Sequence, residues 1–321
     1  MRRFHLFPLL FIATLLACGG FATAAFGAEP THEAATEEHH LPLKPTLLYY
    51  GIGGHGPTDP THPETAKIGY LAISNSMLVT WIVAVGILIC ARLATRRIKP
   101  VPAGLQNFWE WLVESLHNFL EGMIGRDLVK RTFWFFATIF IFILFVNWFG
   151  LIPGVGTVGF GHHAANGQFE LDRPLLRGGN ADLNMTTAMA MIFFLCWIVW
   201  AIQANGVGGF LVHIFGPKGD SKGLMKIAMV GIFFAVGLLE IVSILFRPIS
   251  LSFRLFGNVY AGETILETMS KMVPALSWLL PVPFYFMELL VGLVQALVFM
   301  LLTAVFTLLI AQHEPGHEAH H

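Results

Sequence analysis

The chain contains 321 residues, of which 55% are hydrophobic and only 12% are charged, and its mean hydropathy is +0.67. Soluble domains carry about 25% charged residues, so this composition excludes an ordinary soluble protein and predicts several membrane spans. The formal net charge of −1, without a polybasic tail, gives no basis for a nucleic-acid partner. The cysteines are too far apart in sequence to indicate a disulfide framework or a zinc site; they are Cys18, Cys90 and Cys196.

Residues 1–28 have the layout of a secretory signal peptide: two arginines, a short apolar core and then small residues. Cleavage is expected between Ala24 and Ala28, while an uncleaved first helix and a lipoprotein site at Cys18 remain as alternatives. Residues 29–69 then form an exported polar segment. Its histidines have no fixed spacing, so we interpret them as solvated rather than metal-binding; they are His32, His39, His40, His55 and His62.

Five apolar runs predict an all-α membrane protein with about five transmembrane helices. They cover residues 70–91, 132–152, 186–204, 226–270 and 282–311. The remaining segments are predicted to be loops and a C-terminal tail; they cover residues 92–131, 153–185, 205–225, 271–281 and 312–321.

The distribution of Lys and Arg predicts the orientation in the membrane. Residues 92–131 hold seven basic residues and residues 205–226 hold three, against two in 153–185 and one in 270–282. Basic loops stay in the cytoplasm. We therefore expect an exported N-terminus, a cytoplasmic loop after the first span and a cytoplasmic C-terminal tail.

The stretch "GLQNFWEWLVESLHNFLEGMIG" within residues 92–131 predicts an amphipathic helix rather than a span. Its apolar residues recur at helical spacing: Leu105, Phe108, Trp109, Leu112, Leu116, Phe119, Leu120 and Met123. Polar residues occupy the other side: Glu110, Glu114, His117 and Glu121. Such a helix lies on the membrane surface or against a partner, and we favour a simple surface helix.

The last two apolar runs are longer than a single crossing requires. Residues 226–270 would extend about 65 Å as one helix at about 1.5 Å per residue, whereas a hydrocarbon core is about 30 Å thick. We expect such helices to tilt, kink or break, and Pro248 is a place for a bend. Two strongly tilted helices suit a surface that curves around another body.

Polar residues form one stripe along the predicted helix 226–270, provided that Pro248 does not break the helical register. They are Glu240, Ser243, Arg247, Ser250, Arg254 and Asn258. Glu263 is rotated away from this stripe. In the last helix Glu288 and Gln295 are seven residues apart and share a face, with Gly292 between them leaving space.

Charged groups in this position need a reason, because one at the bilayer centre costs about 2.5–3.5 kcal/mol on insertion scales. One interpretation is a structural ion pair between Arg254 and either Glu263 or Glu288. The other is an ion path, in which carboxylates relay a proton, amides and hydroxyls hold water, and an arginine keeps its charge permanently. Only the ion path also accounts for the long polar stripe and for Asn258 and Gln295.

The segments "RPISLSFRLFGNVYAGETIL" and "LLVGLVQALVFMLLTAVF" together resemble subunit a of the rotary F-type ATP synthase, with "DLNMTTAMA" as further support. The resemblance implies a proton-translocating stator subunit of a bacterial inner membrane, which forms two half-channels against a rotating ring of c subunits. It implies a b-subunit stator, the soluble ATPase sector and membrane lipid as further partners. No nucleotide-binding "GxxxxGK[ST]" motif occurs, so we expect no cofactor and no enzyme activity of this chain alone.

The resemblance also implies roles for individual residues. Arg254 would face the ring carboxylates and separate the two half-channels. The half-channel open to the exported side would be lined by Asn258, Glu263, Glu288 and Gln295. The path to the cytoplasm would be lined by Glu240, Ser243 and Ser250. Family members vary at the Glu288 position, and the long N-terminal extension and the histidine-rich ends depart from the family pattern. An acidic relay favours protons over sodium ions.

Three other functions remain as alternatives. A secondary transporter with Arg254 binding an anionic substrate predicts an internal repeat, and the motif has no second copy. A structural scaffold predicts that neutral substitutions change stability but not proton flux. A membrane enzyme lacks a metal-ligand or nucleophile spacing within the spans. The tail could also bind zinc, although we interpret its histidines as solvated; they are His313, His317, His320 and His321.

Overall fold

A computed structural model describes residues 47–49, 73–155, 158–163, 169–215, 224–272 and 276–311. The predicted signal peptide, the histidines of the N-terminal segment and those of the tail lie outside these residues. The helices of the described part are α1 (Asn75–Thr95), α2 (Leu105–Ile124), α3 (Arg126–Gly150), α4 (Leu183–Phe215), α5 (Leu224–Met272) and α6 (Val282–Ala311).

Five of the helices in the described residues are long and apolar enough to cross a membrane, namely α1, α3, the first part of α4, most of α5 and α6. This confirms the prediction of an all-α membrane protein with five spans. The amphipathic α2 is the described helix of this length that does not qualify. Helix α4 continues to Phe215, through residues that the sequence assigns to the loop 205–225, with a break at Gly206, where φ is +68°.

Two short antiparallel strand pairs accompany the helices. Strand β1 (Leu47–Tyr49) pairs with β2 (Ile73–Ser74), and β3 (Gly159–His163) pairs with β4 (Phe169–Pro174). The second pair is a hairpin inside the segment 153–185, for which the sequence predicts only a polar loop. The chain leaves β4 directly into the buried turn that carries part of the candidate site.

The core lies between α3, α4 and α6. Phe136 and Ile143 of α3, Phe193 of α4, and Phe299 and Met300 of α6 are at most 1% exposed and belong to one apolar cluster. Fully burying such a side chain stabilises a structure by about 1.5–3 kcal/mol in water. Within a membrane, close packing and dispersion replace much of that term. The cluster therefore fixes α6 beside α3 and α4.

Helix α2 is more than the simple surface helix that the sequence favours. Leu116, Leu120 and Ile124 form a buried stripe that packs into the core cluster, while Phe108 and Trp111 remain exposed. Gly125, with a φ of +80°, ends α2 and precedes α3. Glycine adopts such a φ without the steric cost of a side chain, so the chain can reverse direction there.

Helix α5 runs through Pro248 without a break. Its 49 residues extend about 74 Å at about 1.5 Å per residue, more than twice a hydrocarbon core of about 30 Å. One side packs on α4, with Leu251 and Leu255 buried. The other side exposes large apolar residues, among them Leu239 and Phe246.

Candidate functional site

Arg254 lies on the exposed side of α5, next to the exposed Phe253. Two residues earlier, Ser252 is buried, and its hydroxyl lies 3.1 Å from the Thr186 hydroxyl and 2.8 Å from the Thr187 hydroxyl of α4. Two residues correspond to about 200° on a helix. The contact with α4 thus directs Arg254 away from the protein.

No carboxylate of the described residues lies within 4.0 Å of the Arg254 guanidinium. The structural ion pair of Arg254 with Glu263 or Glu288, one of the two interpretations of the sequence, is therefore absent from this part of the chain. A different cation is close to Glu263.

That cation is Arg177, in the segment between β4 and α4. Its Nε lies 3.9 Å from the Oε2 of Glu263, and the side chains are only 7% and 16% exposed. Gly178 follows, and a Cβ added there would lie 2.6 Å from the Oε1 of Glu263. The segment thus contacts Glu263 through both a charged side chain and an adjacent glycine backbone.

Glu288 of α6 is buried at 7% exposure and lies against the backbone of α5. A Cβ added to Gly262 would overlap with the Glu288 carboxylate. Because Gly262 immediately precedes Glu263, the two carboxylates reach the same level of α5 from different elements. Gly262 is what lets them do so.

Asn258 and Gln295 join α5 to α6 one to two helical turns from the carboxylates. The Nδ2 of Asn258 donates to the Oε1 of Gln295 over 2.7 Å. Gln295 is buried, and its Nε2 has no hydrogen-bond partner among the described residues. A buried donor of this kind is normally satisfied by a partner or by ordered water.

These groups line one small cleft between α3, α5, α6 and the turn after β4. Its lining includes Asn258, Glu263, Glu288, Gln295 and Gly178. Four of these five are polar, and the four exported-side residues implied by the resemblance are all among them. The arrangement can hold water and pass a proton between carboxylates.

A chain of amide side chains, which no sequence pattern indicates, borders the cleft. Asn180 donates to the Oδ1 of Asn147 over 2.6 Å, and Asn147 donates to the carbonyl of Gly292 over 3.1 Å. Trp148 also donates to the carbonyl of Leu289 over 3.1 Å. These contacts tie the turn after β4 through α3 to α6.

Asp182 anchors the same turn at the start of α4. Its Oδ2 accepts from the Ser76 hydroxyl over 2.6 Å, and its Oδ1 accepts from the Asn184 backbone N–H over 2.9 Å. Burial raises the pKa of Asp182, while the Ser76 hydroxyl, the Asn184 N–H and the charge of Arg177 oppose the rise. The "DLN" of the sequence thus caps α4 and joins it to α1.

The polar stripe before Arg254 follows the border between the buried and exposed sides of α5. Glu240 is half-buried, whereas Ser243 and Ser250 are exposed. Arg247 departs from the stripe by packing inward, with its guanidinium 4.4 Å from the ring centre of Phe306 and 5.6 Å from that of Trp197. Such cation–π contacts stabilise a desolvated arginine.

No group of three His, Cys, Asp or Glu side chains that could hold a metal ion occurs in the part of the chain that the structure describes.

Comparison with known proteins gives a consistent result. A family model described as "ATP synthase A chain" matches residues 77–307, a range that includes Arg254 and the whole cleft. A protein of Gloeobacter violaceus named ATP synthase subunit a is 31% identical over 258 residues, or 80% of this chain and 91% of the relative. Proteins of Trichlorobacter lovleyi and Geobacter sulfurreducens with the same name are each 34% identical, over 73% of this chain and 86% of the relative.

Proposed function

The chain belongs to the ATP synthase subunit a family, whose members are multi-pass membrane subunits of that complex, and from this premise we propose that it conducts protons between two half-channels against a rotating c-subunit ring. Arg254 faces the ring carboxylates. The b-subunit stator holds the chain fixed, and the soluble ATPase sector uses or supplies the rotation. The chain itself carries no catalytic site.

The observation that carries this proposal is the exposure of Arg254. A guanidinium within a span costs about 2.5–3.5 kcal/mol on insertion scales unless a counter-charge or water receives it. No carboxylate of the described residues is close enough to do so, and the helix face around it is apolar. A partner surface that is apolar and brings one carboxylate at a time to Arg254 satisfies both features.

The cleft supports the entry half-channel. In the orientation predicted from the basic residues, the segments 153–185 and 271–281 are exported, so the cleft opens toward the outside. Protons pass along Glu263 and Glu288, while Asn258 and Gln295 hold water close to Arg254. The N-terminus is exported after removal of residues 1–28, and the tail is cytoplasmic in a bacterial inner membrane.

The exposed stripe supports the second half-channel. Glu240, Ser243 and Ser250 follow the same helix toward the cytoplasm, and the ring covers them when it packs on α5. Along this stripe the chain forms only one wall, because two of the three residues are exposed. The ring supplies the other wall.

Proton transfer and rotation are then coupled by electrostatics. A proton entering from the outside neutralises a ring carboxylate beside Arg254, and the neutral site turns into the lipid, where a charged one would be costly. After most of a turn, the site returns to the stripe side and releases its proton. Each charge that crosses 100 mV provides about 2.3 kcal/mol for rotation. Arg254 blocks direct leakage because a guanidinium does not give up its proton.

The test is ATP-driven acidification of inverted membrane vesicles that contain Arg254→Ala, compared with wild type at equal assembly of the complex. We expect acidification to be lost while the complex still assembles. Arg126→Ala is the matched control, because the side chain of this arginine is 77% exposed and, among the residues that the structure describes, forms an ion pair only with Glu121 of α2. Wild-type acidification by Arg254→Ala vesicles would return the arginine to a structural role.

A further inference from the structure

Arg177 is a buried cation that the proposed proton path leaves unexplained. Its side chain is 7% exposed, and it lies outside the helices, between β4 and the turn Gly179–Ala181. Burying a cation away from water is costly unless carboxylates or other acceptors compensate it. A loop that only connects two elements does not require a buried cation.

Two carboxylates compensate Arg177, one on each side. Glu263 of α5 lies 3.9 Å from its Nε. Asp182 interacts with it electrostatically and is itself fixed by the Ser76 hydroxyl and the Asn184 N–H. Asp182 and Arg177 thus link α1 and α4 to Glu263 of α5.

The surrounding backbone keeps this link close to the cleft. Gly178 leaves room for the Glu263 carboxylate, and a Cβ on Gly150 of α3 would lie 3.1 Å from the Cα of Gly178. Asn180 holds the turn to α3 through Asn147. The turn therefore has little freedom to carry Arg177 away from Glu263.

Glu263 has a small set of charged neighbours. They are Arg177 from the turn, Glu288 from α6 and Glu267 one turn further along α5. Glu267 is itself paired with Lys271, whose Nζ lies 2.5 Å from its Oε1. Arg177 is thus the cation of this set in contact with Glu263.

We propose that Arg177 is a positioning residue of the exported-side proton path, which holds the Glu263 carboxylate in the cleft and sets the external pH range over which it exchanges protons. This rests on the proposed function of the cleft. A cation beside a carboxylate favours the ionised form. Arg177 therefore ensures that Glu263 releases protons readily enough to act as a relay rather than retaining one.

The test measures passive proton conduction through the membrane sector after removal of the soluble ATPase sector, driven by a potassium diffusion potential. The exported-side pH and the cytoplasmic-side pH are varied separately. With Arg177→Gln, we expect the midpoint of the exported-side profile to move to higher pH by about 1 unit or more, the size that removal of an opposite charge produces. The cytoplasmic-side profile should not move. Arg177→Lys, which keeps the charge, should retain the wild-type midpoint.

Arg126→Gln is the matched control, because it removes an exposed cation that pairs with Glu121 and is not among the charged neighbours of Glu263. A purely structural Arg177 would lower conduction equally at every pH and leave both midpoints unchanged, which would overturn the proposal. If Arg177→Gln does not assemble, Glu263→Gln gives a second test. We expect it to abolish the exported-side pH dependence, and a wild-type profile would overturn the proposal.

The two levels of inference fail differently. If Arg254→Ala vesicles pump like wild type, the proposed function fails whatever Arg177 does. If Arg254→Ala stops pumping but Arg177→Gln keeps the wild-type pH midpoint, only the role of Arg177 fails.

Discussion

The two ends of α5 differ in how most of their polar side chains are bonded, although Arg247 before Arg254 also packs on Trp197 and Phe306 of the same chain. After Arg254, Asn258 is bonded to Gln295, and Glu263 is paired with Arg177. Before Arg254, Ser243 and Ser250 are exposed. Other elements of the same chain therefore complete the first end, and a second surface is needed to complete the other.

This difference indicates what determines the geometry of the polar groups at each end of α5. At the Glu263 end, the geometry of the polar groups depends on contacts within the chain, so substitutions there should act through lost packing or lost hydrogen bonds. At the Glu240 end, the hydroxyls of Ser243 and Ser250 are exposed, so water or partner groups can replace a missing hydroxyl. Substitutions of similar size should therefore have unequal effects at the two ends.

The largest effect is expected for Gly262→Ala. The new methyl group would overlap with the Glu288 carboxylate, which would then have to rotate out of its place beside Gly262 and Glu263. We expect ATP-driven acidification to fall more than tenfold at equal assembly. Gly86→Ala on α1 is the control, because a Cβ there has no atom within 4 Å and should leave the rate unchanged. A Gly262→Ala rate within twofold of wild type would contradict the tight contact.

Gln295→Leu should have the next largest effect. It removes the acceptor of Asn258, and a hydrogen bond contributes about 0.5–1.5 kcal/mol net. We expect acidification to slow by about tenfold, since about 1.4 kcal/mol corresponds to a factor of ten. Gln295→Glu keeps an acceptor for Asn258 and should recover part of the rate. Equal rates for the two variants would argue against the hydrogen bond.

Asp182→Ala tests, through its effect on stability, the anchor of the turn that packs against the Glu263 end of α5. It removes the acceptor of the Ser76 hydroxyl and the cap of α4, so we expect a loss of about 1–2 kcal/mol in the free energy of unfolding. Asp182→Asn keeps an oxygen acceptor and should cost less. The measurement is thermal unfolding of the purified complex, and identical melting temperatures for the two variants would contradict this role.

The contribution of Asp182 to stability should depend on pH with a definite sign. Because burial raises the pKa of Asp182 in the folded chain, its contribution to stability is greatest in acid, and is lost as the pH rises through the folded-state pKa. The melting temperature difference between Asp182→Asn and wild type should therefore move in favour of Asp182→Asn as the pH rises. A difference that moves the other way would contradict the raised pKa.

The smallest effects are expected for Ser243→Ala and Ser250→Ala. Both hydroxyls are exposed in this chain, so water or, under the proposed function, the ring can replace each of them. We expect each acidification rate to stay within twofold of wild type, and the double variant to fall further than either. A tenfold loss of rate from one of these substitutions would show that the polar groups at the Glu240 end are as sensitive to substitution as those at the Glu263 end.

The membrane-spanning helices could be predicted from the sequence because apolar runs are local signals, whereas the role of Arg254 stays a prediction. Apolar runs reveal spans wherever they occur, and the polar residues of α5 follow one helical period. Arg177 and Asn147 could not be found in this way, since their contacts join residues that are 86 and 145 positions apart, to Glu263 and to Gly292. The one available signal was an arginine directly before a pair of glycines in an otherwise polar segment.

The features that differ from the predictions also depend on contacts between residues far apart in the sequence. The buried stripe of α2 depends on which helix packs beside it, and the amphipathic pattern does not reveal the identity of that neighbour. The hairpin β3–β4 lacks an alternating apolar pattern, so its pairing is not apparent from composition. Arg247 shares the period of the stripe, but the rings of Trp197 and Phe306 turn it inward.

The hydroxyl contact between Ser252 and the two threonines of α4 has a mechanical consequence under the proposed function. A rotor that turns against a stator exerts an equal and opposite load on it, and here the load enters at Arg254. A long helix with one bare flank would bend under a lateral force. The contact at Ser252 lies two residues away on the reverse side, so thrust at Arg254 passes into α4 and the core. The contact would thus support α5 beside the residue where, under the proposed function, the load enters.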